Sequence, residues 1–209
     1  MKTLVIGANG QIGRQFCALA AKSGLPVRAM IRSPDQAAEF EAMGVETVLA
    51  DLEGDLEHAF KDCDQVVFTA GSGPDTGADK TLLVDLHGAI RTIDLADELG
   101  LGRVVMVSAL RAENPLVGPE KLRPYLAAKY AADQYLRHAK TEYVILKPGR
   151  LTDEQPSGSI TTDPESVDHD TISRGNVART LLAVTKNRAL RNREYRLLDG
   201  DQSVETVFA

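Results

Sequence analysis

The sequence predicts an α/β protein, a single domain in which a doubly wound parallel sheet carries helices on both faces. Short apolar runs with the length of buried strands alternate along the chain with segments of helical periodicity. A glycine-rich turn, Gly7-x-x-Gly10-x-x-Gly13, joins the first of these strands to the first helix. The 209 residues, 43% of them apolar and 26% charged, suffice for one domain with a good core.

The glycine-rich turn predicts a dinucleotide site. It follows a strand at Leu4 to Ile6 and opens a helix from Gln11 to Ala21. Such a turn needs one glycine for its sharp backbone, one for close approach of a pyrophosphate and one for packing the helix on the strand. The candidate cofactor-binding residues here are Gly7, Asn9, Gly10, Gln11, Ile12 and Gly13. The alternative is a tight turn that binds nothing.

The end of the second strand predicts which dinucleotide binds. That strand covers residues 26–31, and Arg32 with Ser33 follows it, about 20 positions beyond the glycines. An acid at this position pairs with the ribose hydroxyls of NAD, whereas an arginine accommodates the 2′-phosphate of NADP. We therefore expect NADP(H) to be preferred over NAD(H). A solvated arginine at a strand end is the alternative.

The remaining elements continue the alternation. Helices are predicted over residues 34–43, 56–60, 80–99, 122–138 and 175–186, and strands over residues 44–49, 65–69, 103–108, 142–147 and 195–198. Residues 152–170 are rich in Asp, Ser, Thr, Gly and Pro and predict a long loop, of the kind that often covers a substrate. We expect residues 150–209 to contribute a small substrate-side lobe to the single domain 1–209.

Candidate binding residues follow several strands, at the sheet edge where ligands of such folds bind. Asp51 ends the third strand, where it either faces a ligand or caps the helix at residues 56–60. The small residues 70–73 after the fourth strand either let a cofactor backbone pass closely or simply make a turn. Ser108 and Pro148 end the next two strands at the same edge.

A tyrosine and a lysine form a candidate catalytic pair on the helix over residues 122–138. Tyr125 and Lys129 are four residues apart, so one helical turn places both side chains on one face. Their position after the fifth strand distinguishes them from an ordinary surface pair, which is the alternative.

Composition restricts the partners. The net charge of −6 is dispersed, which argues against a nucleic-acid surface, and no apolar run approaches the roughly 20 residues that span a bilayer. The chain enters a strand directly without a basic leader, so we expect a cytoplasmic protein. Cys17 and Cys63 form neither a disulfide framework nor a ligand set, and no metal site is expected.

Taken in order, the motifs resemble the short-chain dehydrogenase/reductase superfamily over nearly the whole chain. The matching features are the glycine turn, Asp51-Leu52, the loop 70–73, the strand ending at Ser108, Tyr125-x-x-x-Lys129 and residues 146–149. The segments 76–81, 84–86 and 148–152 are similar to those of the small atypical NAD(P)-binding members related to biliverdin and flavin reductases. The resemblance implies a Rossmann-like fold.

The resemblance also implies residue roles. Asp51 would contact adenine, with the Leu52 backbone assisting, and Ala70, Gly71 and Ser72 would line the ribose. Lys129 would hold the nicotinamide ribose, and Pro148 with Gly149 would border the nicotinamide. Tyr125 would donate the proton in carbonyl reduction, with its pKa lowered by Lys129 and by the oxidised nicotinamide.

One position departs from the family pattern. Members with the full triad carry a second serine after the first at the end of the fifth strand, whereas Ser108 is followed by Ala109 here. Ser108 is still a candidate catalytic residue by this resemblance, ranked below Tyr125. We expect an NADPH-dependent oxidoreductase that transfers hydride to a small carbonyl, quinone, flavin or tetrapyrrole-like substrate, as a monomer or homodimer. A non-catalytic NADP(H)-binding redox sensor and a sugar-nucleotide epimerase or dehydratase remain alternatives.

Overall fold

The structure is a computed structural model that describes residues 1–73 and 76–209. Its strands are β1 (Thr3–Ile6), β2 (Val27–Ile31), β3 (Glu46–Leu49), β4 (Gln65–Phe68), β5 (Arg103–Val107), β6 (Glu142–Pro148), β7 (Arg150–Thr152), β8 (Ser159–Thr161), β9 (Thr171–Ser173), β10 (Arg193–Asp199) and β11 (Gln202–Ser203). Its α-helices are α1 (Gln11–Lys22), α2 (Ala37–Ala42), α3 (Ala78–Lys80), α4 (Ala89–Glu98), α5 (Arg123–His138), α6 (Arg174–Lys186) and α7 (Val204–Val207).

The main sheet confirms the predicted doubly wound architecture. Its strand order is β11-β8-β10-β6-β5-β4-β1-β2-β3, and the strands from β10 to β3 are all parallel. The order reverses at β1, which pairs with β2 on one side and β4 on the other. β8 and β11 add an antiparallel edge, and β7 with β9 forms a small separate parallel pair. Ligands of such sheets bind beyond the strand ends at the reversal.

Helices cover both faces of the sheet and create two cores. Alternate strand residues face alternate sides, so Val5 and Val67 join one core while Leu4 and Val66 join the other. The first core includes buried side chains of α1 and α6, namely Phe16, Cys17, Ala20, Val177, Leu181 and Val184. The second includes side chains of α4 and α5, namely Ile93, Ala96, Ala132 and Leu136. The continuous apolar strands therefore reflect burial on two sides.

The predicted helix over residues 80–99 is divided. It begins with α3, continues as a π-helical segment at Thr81–Gly88 and ends as α4. Wide turns of this kind are rare and frequently occur at functional sites. Within the described ranges, no helix has both the length and the apolar composition that crossing a bilayer requires.

The prediction of an unstructured loop over residues 152–170 is wrong in part. This segment contains β8, which pairs with β10 and β11, and a 3₁₀ turn at Pro164–Ser166. The buried Asn176 of α6 donates from Nδ2 to Ser157 Oγ, Ser159 O and Asp199 Oδ1, and its Oδ1 accepts from Gly158 N. Strand pairing and this amide hold residues 157–161, and the polar composition concealed a three-residue strand. The lobe assignment for residues 150–209 stays a prediction.

A buried arginine closes the opposite end of the sheet. Arg103, only 1% exposed, donates to the carbonyl oxygens of Val184, Thr185, Asn187 and Leu190 at the end of α6. It also donates to Gln65 Oε1. Burial lowers the pKa of Arg103 to about 10, so the guanidinium remains charged at neutral pH. A cation at a helix C-terminus donates hydrogen bonds to the last carbonyl oxygens and interacts favourably with the negative end of the helix dipole.

Candidate functional site

A cavity of about 340 Å³ lies at the carboxyl ends of the strands where the strand order reverses. Predicted cofactor residues that line it are Gly7, Asn9, Gly10, Arg32, Asp51, Leu52, Ala70, Gly71 and Ser72. Sequence reasoning did not assign the other lining residues, which are Met30, Gln36, Glu53, Thr69, Thr76, Lys80 and Val84. Met30, Glu53 and Thr69 adjoin predicted residues on the same strand ends. Thr76 and Lys80 lie in a motif that carried the family resemblance.

The glycine turn has the geometry that its motif demands. Gly7 has φ of +84°, and a Cβ there would lie 2.4 Å from Ala70 N. A Cβ at Gly13 would lie 2.3 Å from Gly7 O, so this glycine lets α1 approach β1. Arg14 donates from Nη2 to Asn9 Oδ1 at 2.6 Å and fixes that side chain. Gly10 caps α1 without a side-chain acceptor, which leaves the first N–H groups of the helix directed to the cavity.

Arg32 is an exposed cation on the rim of the cavity. No acceptor for its guanidinium occurs among residues 1–73 and 76–209, while its backbone N–H donates to Gln36 Oε1 at 3.1 Å. Ser33 donates to Asp35 and does not line the cavity. Its predicted cofactor contact stays a prediction.

Asp51 does not cap the following helix. Its Oδ1 accepts from Glu53 N at 3.0 Å, and the 3₁₀ helix at Glu57–Phe60 begins after Leu56 with no side-chain cap. The capping alternative is therefore wrong, and the carboxylate lies on the cavity wall. Lys80 Nζ reaches Glu53 Oε1 at 2.7 Å, an ion pair between two other lining residues.

A buried ion pair lies behind the loop that follows β4. Lys129 is 3% exposed and its Nζ is 3.3 Å from Oδ1 of Asp85, which is fully buried on the π-helical segment. The same ammonium donates to Ala70 O at 3.4 Å and Val107 O at 3.2 Å. Asp85 Oδ2 accepts from Ser72 N at 3.0 Å. The pair thus connects α5 to the cavity-lining residues Ala70 and Ser72.

Tyr125 is half-buried beside this pair, with Lys129 Nζ 5.7 Å from the centroid of its ring. Burial raises the pKa of Tyr125, Lys129 opposes this, and Asp85 and Asp133 add to the rise, so the net pKa lies above its ordinary value. Lys129 has the lowering effect that the family resemblance implies, but burial outweighs it in the protein without cofactor, and the pKa of Tyr125 with oxidised cofactor bound stays a prediction. The four-residue spacing predicted that Tyr125 and Lys129 lie on one face of the helix. It did not indicate that Asp85 pairs with Lys129 and also influences Tyr125.

Ser108 is buried and its Oγ donates to Asp133 Oδ2 of α5 at 2.9 Å. Asp133 is fully buried, and its Oδ1 has no hydrogen-bond partner in the described part of the chain. Lys147 Nζ is 3.8 Å from Asp133 but only 2.5 Å from Glu113 Oε1 and 2.8 Å from Glu194 Oε2. The hydroxyl of Ser108 is therefore engaged within the core.

Several predicted site residues do not line the cavity. These are Gln11, Ile12, Gly13, Ser33, Ser108, Tyr125, Lys129, Pro148 and Gly149. Gly13 acts through packing, and Lys129 is connected to the cavity through Ala70. The roles of the others toward a cofactor stay predictions.

The chain belongs to the NAD(P)H-binding family, whose model matches residues 7–188. This agrees with the cavity, the glycine turn and the strand order, and it confirms the resemblance to atypical short-chain dehydrogenases/reductases.

Individual relatives extend the comparison. The chain is 43% identical over 208 residues to the Bacillus subtilis protein named uncharacterized sugar epimerase YhfK, covering 98% of this chain and 97% of that one. A solved structure described as a proposed NAD-dependent epimerase/dehydratase from Bacillus halodurans is 38% identical, with a TM-score of 0.95 over 100% and 98% of the two chains. ChuY from Escherichia coli O157:H7, named an anaerobillin reductase, shares the fold at 23% identity and a TM-score of 0.79, covering 97% of this chain and 99% of that one.

Proposed function

We propose that the protein is an NADPH-dependent oxidoreductase that reduces a small carbonyl, quinone, flavin or tetrapyrrole-like substrate. The observation that carries this proposal is the cavity at the strand reversal, which combines the glycine turn with Arg32 on its rim and the Lys129–Asp85 pair behind it. This arrangement offers a phosphate cradle, a cation on the rim and, beside the buried ion pair, a tyrosine.

The lining residues fit a dinucleotide. A Cβ at Gly7 or Gly13 would collide with backbone, so the turn is built to keep the helix N-terminus close to the strand and open to phosphates. When bound, the reduced dinucleotide supplies a hydride to the electrophilic atom of the substrate. A tyrosine phenol is protonated at neutral pH, and burial raises the pKa of Tyr125 further, so its Oη can give a proton to the substrate oxygen. Water then returns a proton to Tyr125.

Tyr125→Phe is expected to lower NADPH oxidation about 100-fold, because general acids contribute on that order, while NADPH affinity stays unchanged. A panel of quinones, flavins and aldehydes, followed by the absorbance of the reduced nicotinamide, identifies a substrate for the measurement. Tyr130→Phe is the matched control, since Tyr130 is exposed on the same helix and its Oη accepts from Gln134. Equal rates for both variants would remove Tyr125 from the chemistry.

Arg32→Asp is expected to weaken NADPH binding about tenfold or more and to leave NADH binding equal or tighter, because the aspartate repels the 2′-phosphate and accepts from ribose hydroxyls. Titration of cofactor fluorescence measures both affinities. Lys22→Asp, a change of the same charge at the far end of α1, is the control. Equal affinities of the unmodified protein for NADPH and NADH would contradict the proposed preference.

An epimerase is the second candidate, because a relative at 43% identity has that name. Such an enzyme begins by oxidising a hydroxyl of a sugar nucleotide, which requires a base. Burial disfavours the phenolate form of Tyr125 that would act as this base, so we rank the epimerase second. Epimerisation of a nucleoside-diphosphate sugar without net NADPH oxidation would replace the proposed function.

A further inference from the structure

We propose that Arg111 and Arg150 form an anion subsite that binds a carboxylate of the substrate. The subsite narrows the substrates of the proposed oxidoreductase to compounds that carry an acid group, and its place in a reaction rests on that proposed function. No role was predicted for either arginine from the sequence, and neither lines the cavity at the strand reversal.

The two arginines lie further along the sheet edge that carries the cavity. From β3 to β4, the strands are followed by residues that line the cavity. In this fold the pyrophosphate lies at the glycine turn and the adenosine ribose near the end of the second strand, so the reactive end of a dinucleotide is directed away from β2, toward β5 and β6. Arg111 follows β5 and Arg150 follows β6, and Leu110 N donates to Pro148 O at 2.9 Å, which holds the two segments together. A substrate at the reactive end would therefore meet this pair.

Asp170 already places a carboxylate between the two guanidiniums. Arg111 Nη2 donates to Asp170 Oδ2 at 3.0 Å, and Arg150 Nε lies 3.5 Å from Asp170 Oδ1. The backbone of Asp170 is fixed, because its carbonyl oxygen accepts from Arg150 N at 2.7 Å. A Cβ at Gly149 would lie 2.3 Å from the same oxygen, so the glycine lets the residue before β9 approach the end of β6. The aspartate thus holds both arginines toward one point.

The pair has charge and donors beyond what Asp170 uses. Each guanidinium has five N–H groups, and in the two described stretches of the chain neither guanidinium has another side-chain or backbone acceptor. Two cations facing one carboxylate leave an excess charge of +1. The side chains of Arg111 and Arg150 are 49% and 69% exposed, so a ligand can reach them. A second carboxylate would neutralise the excess charge and accept from the unused forks, which match its geometry.

The test of binding uses benzoate as the probe and benzamide as its neutral counterpart of similar shape. In protein labelled with ¹⁵N at arginine, with NADPH present, benzoate is expected to shift the Nε–H signals of Arg111 and Arg150. Arg111→Gln and Arg150→Gln assign these signals. Benzamide is expected to leave them in place, because it carries no charge for the guanidiniums to neutralise.

The variants separate a binding role from a structural one. Arg111→Gln or Arg150→Gln is expected to weaken benzoate binding about tenfold, as loss of a hydrogen bond to a charged group does. Asp170→Asn keeps the shape and one acceptor but removes the competing charge, so benzoate binding is expected to tighten about threefold or more. A merely structural ion pair would not give this gain.

Arg191→Gln is the matched control. Arg191 is an exposed arginine that pairs with Glu142 at 2.9 Å, at the start of β6 and so at the opposite edge of the sheet. Its variant is expected to bind benzoate like the unmodified protein. The subsite would be overturned if benzoate shifted Arg191 as much as the proposed pair, if the two glutamine variants kept full affinity, or if Asp170→Asn bound no more tightly.

A kinetic comparison connects the subsite to the reaction. The aldehydes 4-carboxybenzaldehyde and methyl 4-formylbenzoate differ in the free acid, and the acid is expected to have a kcat/KM about tenfold higher. Arg111→Gln is expected to raise KM for the acid with kcat unchanged, since the contact is the same in the ground state and the transition state. If both aldehydes are reduced equally and benzoate shifts neither arginine, the proposed function stands and the subsite fails. If benzoate shifts both arginines but no compound of the panel oxidises NADPH, the proposed function fails and the anion site stands.

Discussion

Replacing Gly10 by valine is expected to weaken dinucleotide binding about 100-fold or more while the protein stays folded, since the side chain would occupy the space of the pyrophosphate. The structure distinguishes this glycine from its two neighbours in the motif. Gly10 has an ordinary backbone, with φ of −72°, and a Cβ there would meet only Gly7 O at 3.2 Å. Gly7 and Gly13 have no room for any side chain, so substitutions there test folding instead of binding.

Titration of NADPH fluorescence measures the affinity, and circular dichroism during heating reports the fold. Gly102→Ala is the control, because Gly102 lies outside the cavity and its Cβ would make ordinary contacts with Arg188 Nη2 at 3.4 Å and Asp64 O at 3.5 Å. Gly10→Ala, matched in size to the control, is expected to give a smaller loss than valine. If Gly10→Val bound NADPH as tightly as the unmodified protein, the phosphates would lie elsewhere and the cavity assignment would be lost.

Asp133→Asn is expected to remove a pH dependence of stability worth about 3 kcal/mol. Burial raises the pKa of Asp133 to about 6 from 3.8, against the opposing effects of Ser108 and Lys147. Below about pH 4 both the folded and unfolded chains are protonated at this group. As the pH rises from 4 to 6, the unfolded chain releases the proton first, so the free energy of unfolding falls, and above pH 6 the loss is complete.

Urea denaturation of both proteins from pH 4 to pH 8 isolates this effect. The difference in unfolding free energy between Asp133→Asn and the unmodified protein is expected to rise toward pH 7 in favour of the variant. Glu194 makes the opposite contribution to the pH dependence of stability, because its hydrogen bonds with Arg137 lower its pKa to about 2. Both proteins contain Glu194, so its contribution cancels in the difference between their unfolding free energies. Asp201→Asn, which removes a carboxylate at an exposed position, is the control. A constant difference for Asp133→Asn would show that Asp133 is ionised over the whole range.

The architecture was predictable because its signals are local. Buried strands such as β1 and β5 contain unbroken apolar runs, and the turn that leads into α1 has glycines whose spacing has a steric explanation. The residues that end these strands were predicted as a group for the same reason, since parallel strands bring their carboxyl ends to one edge. Nine predicted residues line the cavity.

The electrostatics of the site were not predictable in the same way. Asp85 comes from a segment whose register depends on a π-helical turn, and helical periodicity alone does not show that it faces Lys129. The pKa of Tyr125 also depends on burial and on Asp85 and Asp133, which outweigh the lowering effect of Lys129, and the spacing to Lys129 does not reveal them. β8 was not predicted because the three residues of this antiparallel strand are too few to show an alternating pattern.

The packing of α6 on α1 determines when this chain can fold during its synthesis. α1 emerges from the ribosome early, but Phe16, Cys17 and Ala20 share their core with Val177, Leu181 and Val184, which are made more than 150 residues later. β6 likewise gains its second neighbour only when β10 is complete. The glycine turn is therefore synthesised well before α6 covers α1. Until translation is nearly finished, the apolar face of α1 must stay out of contact with other nascent chains.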